Sequence, residues 1–482
     1  MQRLIQNSRP AQWFWAFFGI SAIIRLIMVV RLVHPWWDAS VYQGMARYIA
    51  SGGLYGTWEL FRPPLWPLIL SVFSGLGPIA LEWIAKIITL ILSLGIIYLV
   101  YKIGEKIKPW VGVVASVLIS ISAPFLTFSV VPMTEIPSLF LITLAIYYFI
   151  ENKYFLTGII TGLACIMRFP TGLAIGAFGI VLIVNTIRPQ DFKKSIFELF
   201  RNGLILGLGF LCIIIPLFVS NSYLYGSATL PLTIGQSMIT GFMWLYQGGL
   251  WFYIQKIFIM NIVAIMVIPA IIFWIIKRKQ LSDQTKKILL TLLAISIVFL
   301  GYFTLQAHKE FRYSMPIFSS LFLLVSIGIV WLHERFRVSR YVIIVLVIIF
   351  ITTTLGYSKL FDPADKNSIK PFYNFYTALT DVKFGSSVIT STPTITAFSP
   401  VTLYEGYNSW EQMSQVYEKN NQQANYVAID TCELHACEPG QELLCQRFKT
   451  DFLEKLSREA LIIYNTTTSS CDLTVYQLHT SR

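Results

Sequence analysis

Residues 308–313, His-Lys-Glu-Phe-Arg-Tyr, form the densest polar segment between apolar stretches of this sequence. Four of these six side chains can carry charge, and five can form hydrogen bonds. Guanidinium and ammonium groups form charge-assisted hydrogen bonds with phosphate oxygens. The segment therefore predicts a lipid-phosphate site formed by His308, Lys309 and Arg312. Non-specific contact with lipid headgroups is the alternative.

A second candidate for chemistry is Asp38, which directly follows the first apolar stretch and two tryptophans. Tryptophan is enriched at membrane–water interfaces, so this carboxyl group is expected in a partly apolar setting. Partial desolvation suits a carboxylate to act as a general base. The alternative is that Asp38 caps a helix beginning near Ala39, because aspartate is favoured at that position.

Further ionisable residues lie near the ends of other apolar stretches. Arg62 precedes two prolines, which interrupt helices, so the segment is predicted to be re-entrant or surface-lying. The alternative for Arg62 is a snorkelling contact with headgroups. Glu135 opens an apolar stretch after Thr134, where an acid is favourable near a helix N-terminus. It is therefore either structural or a ligand for a metal ion, a sugar hydroxyl or a neighbouring arginine.

The elements that hold these residues are predicted to lie in a membrane. The chain has 482 residues, 55% hydrophobic and only 13% charged, with a mean hydropathy of +0.63. Soluble domains carry about 25% charged residues. This composition excludes an ordinary cytosolic enzyme, a disordered chain and a nucleic-acid-binding protein whose net charge of +12 would coat a soluble surface.

Apolar stretches of about 20 residues locate the membrane spans. Eleven spans are predicted: Trp13–Leu32, Trp83–Tyr101, two within Trp110–Ile150, Phe155–Met167, Phe169–Ile187, Leu204–Ser220, Ile257–Ile276, Ile288–Ala307, Tyr313–Leu332 and Tyr341–Ser358. Placing the N-terminus in the cytoplasm puts sixteen lysines and arginines in inner loops and six at the outer side. Because cytoplasmic loops are enriched in these residues, this orientation is predicted, in a multi-pass cell-membrane protein.

Residues 1–358 are thus predicted to form the membrane domain, and residues 359–482 an extracytoplasmic domain. Short apolar runs alternate there with polar helix-compatible segments, which predicts a small α/β domain. Four cysteines, Cys432, Cys437, Cys445 and Cys471, lie in this region, and an exterior location permits disulfides. Their three possible pairings are left open, with a zinc site as the alternative.

In this order, the motifs resemble the GT-C superfamily of glycosyltransferases, which use polyprenyl-phosphate sugars. The resemblance covers about residues 10–340. It consists of an Asp after the first span, the Arg62-Pro63-Pro64-Leu65 stretch, and Thr134-Glu135 at a later span start. Residues 308–313 resemble the His-Lys-Glu-x-Arg-Phe motif of mannosyltransferases of N-glycan and GPI-anchor assembly, with Tyr313 in place of Phe. An exterior α/β domain after the last span is also similar to prokaryotic members.

The resemblance implies an inverting transfer of a single sugar, with mannose preferred, at the outer face. Asp38 would take a proton from the acceptor hydroxyl. Lys309 and Arg312, with His308 and Arg62, would neutralise the leaving phosphate. Glu135, Glu310 and Arg168 would position sugar hydroxyls, the acceptor or the cations. All these groups are expected to meet in one pocket at the membrane boundary.

The expected partners are a polyprenyl-phosphate-linked sugar, membrane lipids, and a glycan, lipid or protein acceptor, without nucleic acid. Asp38, Glu59 and Glu135 offer oxygen ligands of the kind that Mg²⁺ or Mn²⁺ accepts, but no tight Asp-x-Asp pair is present. No obligate metal or other cofactor is therefore predicted. The main alternative function is a lipid or glycan transporter or flippase.

Overall fold

The computed structural model describes residues 9–31, 36–186, 192–241, 246–336, 345, 348–354, 356, 366–406, 409–434, 437–468 and 471–478. The chain divides into two compact units. The first comprises Met1–Val29, Phe61–Pro63 and Ile87–Asp362, and the second comprises Val30–Leu60, Pro64–Lys86 and Pro363–Arg482. The second unit thus groups the C-terminal region with two segments that lie before residue 87. The domain boundary at residues 358 and 359 stays a prediction.

The described chain contains fifteen α-helices up to residue 335. They are α1 (Pro10–Arg31), α2 (Trp37–Ala50), α3 (Leu65–Ser71), α4 (Pro78–Glu105), α5 (Pro109–Ile121), α6 (Ala123–Phe128), α7 (Glu135–Ile150), α8 (Tyr154–Met167), α9 (Ala174–Thr186), α10 (Phe192–Tyr225), α11 (Leu230–Gly241), α12 (Phe252–Met260), α13 (Val267–Lys277), α14 (Asp283–Leu305) and α15 (Phe318–Arg335). Short 3₁₀ segments, Phe169–Leu173, Ile262–Met266 and Phe311–Ile317, lead into α9, α13 and α15.

Six helical stretches in the described residues are long and apolar enough to cross a membrane. They are Pro10–Arg31, Pro78–Glu105, Phe169–Thr186, Phe192–Tyr225, Asp283–Leu305 and Phe311–Arg335. A seventh span is formed if the bent pair Phe252–Met260 and Ile262–Lys277 counts as one. The predicted polytopic α-helical fold is confirmed, whereas the count of eleven spans stays a prediction.

Several predicted spans differ from the helices in the structure. Ile257–Ile276 is not one straight helix, because the chain bends by 109° at Asn261. Within Trp110–Ile150, α5 ends at Ile121, well before Pro132, and Ser122 donates to the side chain of Asn261 at 2.7 Å. This hydrogen bond joins the two breaks. The Phe155–Met167 stretch lies in a helix of only 14 residues, and half of the Tyr341–Ser358 stretch lies outside the described residues.

The centre of the first unit is α15, in which every residue from Phe318 to Ile329 is buried. A helix that is apolar all round is suited to such a position. A close crossing of α8 and α10 lies elsewhere in this unit. A Cβ atom at Gly158 would lie 2.1 Å from the Leu206 carbonyl oxygen, so only glycine permits this approach.

The C-terminal part of the second unit contains a five-stranded sheet of order β2-β1-β3-β5-β4. Its strands are β1 (Ser386–Thr390), β2 (Val401–Glu405), β3 (Tyr426–Asp430), β4 (Ala460–Thr467) and β5 (Asp472–Leu478), and its helices are α16 (Lys366–Tyr376), α17 (Thr394–Phe398), α18 (Trp410–Asn420) and α19 (Glu442–Glu459). Strand β1 pairs in parallel with β2 and β3, whereas β5 is antiparallel to β3 and β4. The predicted small α/β domain is confirmed.

Two disulfides connect the four cysteines of this region. Cys432 pairs with Cys471, and Cys437 pairs with Cys445. The alternative of a zinc site made by these thiols is therefore wrong for the oxidised protein. The other two cysteines, Cys165 and Cys212, are free.

Candidate active site

Three elements of the first unit bring ionisable side chains together. Glu135 is the first residue of α7, and Arg168 directly follows the last residue of α8. Residues 308–310 lie in the link between α14 and the 3₁₀ turn before α15, and Arg312 lies in that turn. Proline within that turn and the extended backbone at Glu310 keep this link from continuing as a regular helix. The polar residues thereby collect near the ends of apolar helices.

Glu135 forms a buried ion pair with Arg168. The Arg168 Nη1 atom lies 2.6 Å from Glu135 Oε1, and the glutamate side chain is 2% exposed. Arg312 approaches the same oxygen at 3.8 Å. The Thr134 side chain does not cap α7 by a hydrogen bond, so the arginines rather than a capping hydroxyl contact this end of the helix. The Glu135 carboxylate therefore contacts two arginines, Arg168 and Arg312, that come from separate segments of the chain.

Glu310 organises the second half of the cluster. Its Oε2 atom lies 2.6 Å from Arg312 Nε, and its Oε1 atom accepts from Arg312 Nη2 at 3.0 Å and from the Tyr313 hydroxyl at 3.0 Å. His308 Nε2 lies 2.9 Å from the same oxygen. Because an ionised carboxylate only accepts hydrogen bonds, His308 carries a proton on Nε2 in this arrangement. Its other ring nitrogen is then an acceptor.

Aromatic rings form one wall of the cluster. The Tyr246 and His308 rings are 4.4 Å apart, and the Tyr313 ring lies 5.6 Å from His308. The Arg168 guanidinium lies 5.3 Å from the centre of the Tyr313 ring. Such contacts restrict the orientation of the imidazole and the guanidinium. Tyr246 was not identified from the sequence, because a single tyrosine in an apolar segment gives no chemical signal.

Lys309 differs from the two arginines. In the described part of the chain, no carboxylate is paired with its ammonium group. The Nζ atom donates to the Thr304 carbonyl oxygen at 2.6 Å and lies 5.9 Å from the centre of the Tyr253 ring. Lys309 is 6% exposed, and burial lowers the pKa of its ammonium group. A desolvated cation of this kind is stabilised by an anion.

Two buried acceptor atoms in the cluster lack a hydrogen-bond partner among the described residues. They are Glu135 Oε2 and His308 Nδ1. Buried polar atoms are normally hydrogen-bonded, so unpartnered ones at a cluster of this kind are candidates for substrate contact. Hydroxyl groups supply the donors that both atoms lack.

A family model for Alg9-like mannosyltransferases matches residues 60–383, which include the whole cluster. The chain belongs to the Alg9-like mannosyltransferase family. It is therefore a glycosyltransferase, and the resemblance to the GT-C superfamily that the motifs indicated is confirmed. No curated protein sequence matches the chain.

Solved structures share the fold of this family member. ArnT from Cupriavidus metallidurans bound to undecaprenyl phosphate aligns with a TM-score of 0.65 at 11% identity, over 96% of this chain and 98% of that chain. AglB, an oligosaccharyltransferase of Archaeoglobus fulgidus in complex with an inhibitory peptide and a dolichol-phosphate, gives 0.54 at 12% identity, over 97% and 74%. Another structure of the Archaeoglobus fulgidus oligosaccharyltransferase, in complex with Zn and sulfate, gives 0.55 at 13% identity, over 86% and 68%.

Two further predicted site residues are Asp38 and Arg62. Asp38 belongs to the second unit, where it is half-buried in the first turn of α2. The helix begins at Trp37, so the alternative that Asp38 caps it is wrong. Arg62 is half-buried in the first unit, with its guanidinium 5.7 Å from the centre of the Phe61 ring. The convergence of Asp38 and Arg62 with the basic segment stays a prediction.

Proposed function

We propose that this family member transfers a single sugar, mannose, from a polyprenyl-phosphate donor to an acceptor hydroxyl at the outer membrane face. The observation that carries the proposal is the charge balance of the cluster. Glu135 and Glu310 balance Arg168 and Arg312, so the Lys309 ammonium leaves one positive charge. A sugar phosphodiester has one negative charge and matches that excess.

The fold neighbours support the lipid class of the donor. One of them is bound to undecaprenyl phosphate and another to a dolichol-phosphate. Both lipids end in a phosphate group on a polyprenyl chain. In this chain we assign the phosphate contact to Lys309, with Arg62 as a further candidate. Arg312, first expected to share the phosphate, is held by Glu310 and Glu135 and is assigned to positioning instead.

The proposed step is an inverting displacement at the anomeric carbon. Asp38 takes the proton of the acceptor hydroxyl, the acceptor oxygen bonds to the anomeric carbon, and the bond from that carbon to the phosphate oxygen breaks. The polyprenyl phosphate leaves with a second developing negative charge. Lys309 stabilises that charge, and such positioned groups contribute about 100-fold or more to the rate.

The two unpartnered acceptors, Glu135 Oε2 and His308 Nδ1, are assigned to sugar hydroxyls. This assignment keeps Glu135 and Glu310 out of proton transfer. The assignment also fits a step without a metal ion, because both carboxylates already form ion pairs with arginine side chains. We therefore expect transfer to persist in EDTA, and its loss with recovery by Mg²⁺ or Mn²⁺ would contradict that part of the proposal.

The test uses the full chain in lipid nanodiscs with labelled polyprenyl-phosphate mannose and a panel of hydroxyl acceptors. We expect sugar transfer or slow donor hydrolysis. Asp38→Asn should lower turnover at least about 100-fold without loss of folded protein. The matched control is Asp381→Asn at an exposed carboxylate in the second unit. Full turnover in Asp38→Asn removes the proposed base.

The same donor in sealed vesicles tests the alternative of a transporter. Movement of the intact donor between leaflets, without cleavage of its sugar–phosphate bond, would contradict a transferase. Lys309→Ala should raise the KM for the donor, and Lys256→Ala at an exposed lysine of α12 is its control. Equal effects of these two substitutions would remove the assignment of Lys309 to the phosphate.

A further inference from the structure

One face of α2 lies against the short helix α17 of the C-terminal region, within the second unit. Arg47 Nη1 donates to the Thr396 and Ser399 carbonyl oxygens, at 2.8 and 2.9 Å. Thr394 Oγ1 donates to Ser40 Oγ at 3.0 Å. Both contacts join residues about 350 positions apart in the chain. They connect the helix that carries Asp38 to the C-terminal domain, which contains the five-stranded sheet.

Close packing brings the two helices together between those hydrogen bonds. A Cβ atom at Gly44 would lie 2.8 Å from Thr57 Cγ2 and 2.9 Å from Thr396 Oγ1, so a larger residue would push α2 away. Ser40, Gly44 and Arg47 are spaced by four and three residues, which places them on one helix face. The contact is therefore continuous along about two turns.

The loop after α2 strengthens the same attachment. Gly56 has a φ of +104° and donates its backbone N–H to the Val401 carbonyl oxygen at 2.8 Å. An isolated parallel bridge between Gly56 and Thr402 places this part of the loop beside β2. Gly56 is confined by packing too, since a Cβ atom there would lie 2.4 Å from the Gly44 carbonyl oxygen. The end of α2 and its following loop are thus fixed by the sheet domain.

Arg47 has an unusual environment for a buried cation. It is 7% exposed, its guanidinium lies 4.9 Å from the centre of the Tyr55 ring, and no carboxylate is paired with it among the described residues. Its acceptors are carbonyl groups near the C-terminal end of α17, which carry partial negative charge. Substitution at Arg47 would leave these buried carbonyls without that donor.

Asp38 lies on the other side of α2. At about 100° per residue, it is rotated by about 200° from Ser40 and by about 180° from Arg47. The C-terminal domain therefore contacts the face of α2 opposite to the one that carries Asp38.

We propose that Arg47 and Ser40 are positioning residues through which the C-terminal domain orients Asp38. This inference rests on the proposed function of Asp38 as the base and deepens it, because it assigns a role to the exterior domain. Misplacement of a catalytic group by about 1 Å can lower the rate about 100-fold. The attachment supplies the rigidity that prevents such displacement.

The test compares Arg47→Gln with Arg47→Lys in the full chain in nanodiscs. We expect Arg47→Gln to lower kcat about 10- to 100-fold while the KM for the donor changes less than about 2-fold. Arg47→Lys should recover part of kcat, because an ammonium group can donate to one of the two carbonyls. Hydrogen exchange of residues 37–50 should rise in Arg47→Gln. Arg458→Gln is the control, since Arg458 is an exposed arginine of the same unit.

Ser40→Ala provides a milder variant if Arg47→Gln does not fold. It removes one hydroxyl contact and should raise exchange in residues 37–50 and lower kcat by a few fold. Wild-type kcat with raised exchange in these variants overturns the positioning role. Equal losses of kcat and donor binding also overturn it, since that pattern indicates general damage.

The Asp38→Asn background separates this inference from the proposed function. If Asp38 is the base and Arg47 acts through it, adding Arg47→Gln to the Asp38→Asn variant should not lower the residual donor hydrolysis of that variant any further. If Asp38→Asn is fully active, the proposed function fails regardless of Arg47. If Asp38→Asn is inactive while Arg47→Gln and Ser40→Ala are fully active, only the positioning role fails.

Discussion

The Glu135 carboxylate and the Arg168 guanidinium, 2.6 Å apart, connect the start of α7 to the end of α8. Both side chains are largely buried, and Arg312 lies 3.8 Å from the same carboxylate oxygen. A buried ion pair costs desolvation energy, so its net stabilisation is small, but loss of one partner leaves an uncompensated charge. Glu135 is therefore the residue that holds Arg168, and it adds a second, longer contact to Arg312.

Glu135→Gln should destabilise the protein and abolish transfer. Removal of one partner of a buried pair costs about 3–5 kcal/mol, since the arginines lose their shared carboxylate. Thermal unfolding in detergent should show a lower Tm, and turnover should fall about 100-fold or more. The double variant Glu135→Gln with Arg168→Gln should unfold at a higher temperature than Glu135→Gln alone. A single variant with wild-type Tm and activity would contradict this role.

Donor affinity should decrease as the pH rises through the pKa of Lys309. Only the protonated amine attracts phosphate, and burial places the pKa of this group below its ordinary value of 10.5. The loss of affinity should therefore begin at a lower pH than for an exposed lysine. The measurement is the pH profile of kcat/KM for the donor. Lys309→Arg should move the alkaline limb to higher pH, because guanidinium stays protonated. An unchanged limb would show that another group titrates.

Tyr313→Phe should have a mild effect. The substitution removes one of several hydrogen bonds to Glu310 but keeps the ring that lies beside Arg168 and His308. A hydrogen bond to an ionised carboxylate contributes about 1.5–3 kcal/mol. Because Arg312 and His308 still hold Glu310, turnover should fall by no more than about 10-fold. Tyr313→Ala should cost more, since it also removes the aromatic wall. Equal losses in the two variants would assign the role of Tyr313 to its hydroxyl rather than to its ring.

Much of the fold followed from hydropathy, since long apolar stretches leave few structures other than membrane helices. The breaks at Ser122 and Asn261 did not, because the hydrogen bond between these residues joins segments 139 positions apart. Strand β2 is also not evident from the sequence. It has only five residues, and its pairing with β1 is a tertiary contact. Disulfide pairing likewise depends on the folded sheet.

The residues of the cluster were identifiable because charge is rare in apolar sequence, but their pairing was not. The spacing of these residues did not show that Glu310 and Glu135 hold Arg312. Nor did it show that Lys309 lacks a carboxylate partner within the described parts of the chain. In the helix over residues 37–50, only Asp38 was identified from the sequence as a candidate functional residue. The role inferred for Arg47 depends on carbonyl groups near residues 396 and 399, which carry no sequence signal.

The cysteine pairing is directly measurable. Non-reducing peptide mapping should recover Cys432 linked to Cys471 and Cys437 linked to Cys445, with Cys165 and Cys212 open to alkylation after denaturation. Disulfides form in oxidising compartments, so the same experiment tests the predicted exterior location. Recovery of all six cysteines as thiols from freshly isolated membranes would contradict that location.

The acidic pair Asp430 and Glu433, next to the Cys432–Cys471 disulfide, should make the second unit sensitive to pH. Burial and the nearby Asp430 charge raise the pKa of Glu433 from 4.5 to about 7. Between these values the folded protein binds more protons than the unfolded chain, so the free energy of unfolding falls as the pH rises and levels off above about 7.

Glu433→Gln removes this charge. It should raise Tm by about 2–4 °C at pH 8, with little change near pH 4.5, which corresponds to roughly 1 kcal/mol. Glu438→Gln, at an exposed position nearby, should have no such pH-dependent effect. If Glu433→Gln lowers Tm at pH 8, the ionised carboxylate stabilises the fold and the proposed environment of Glu433 is wrong.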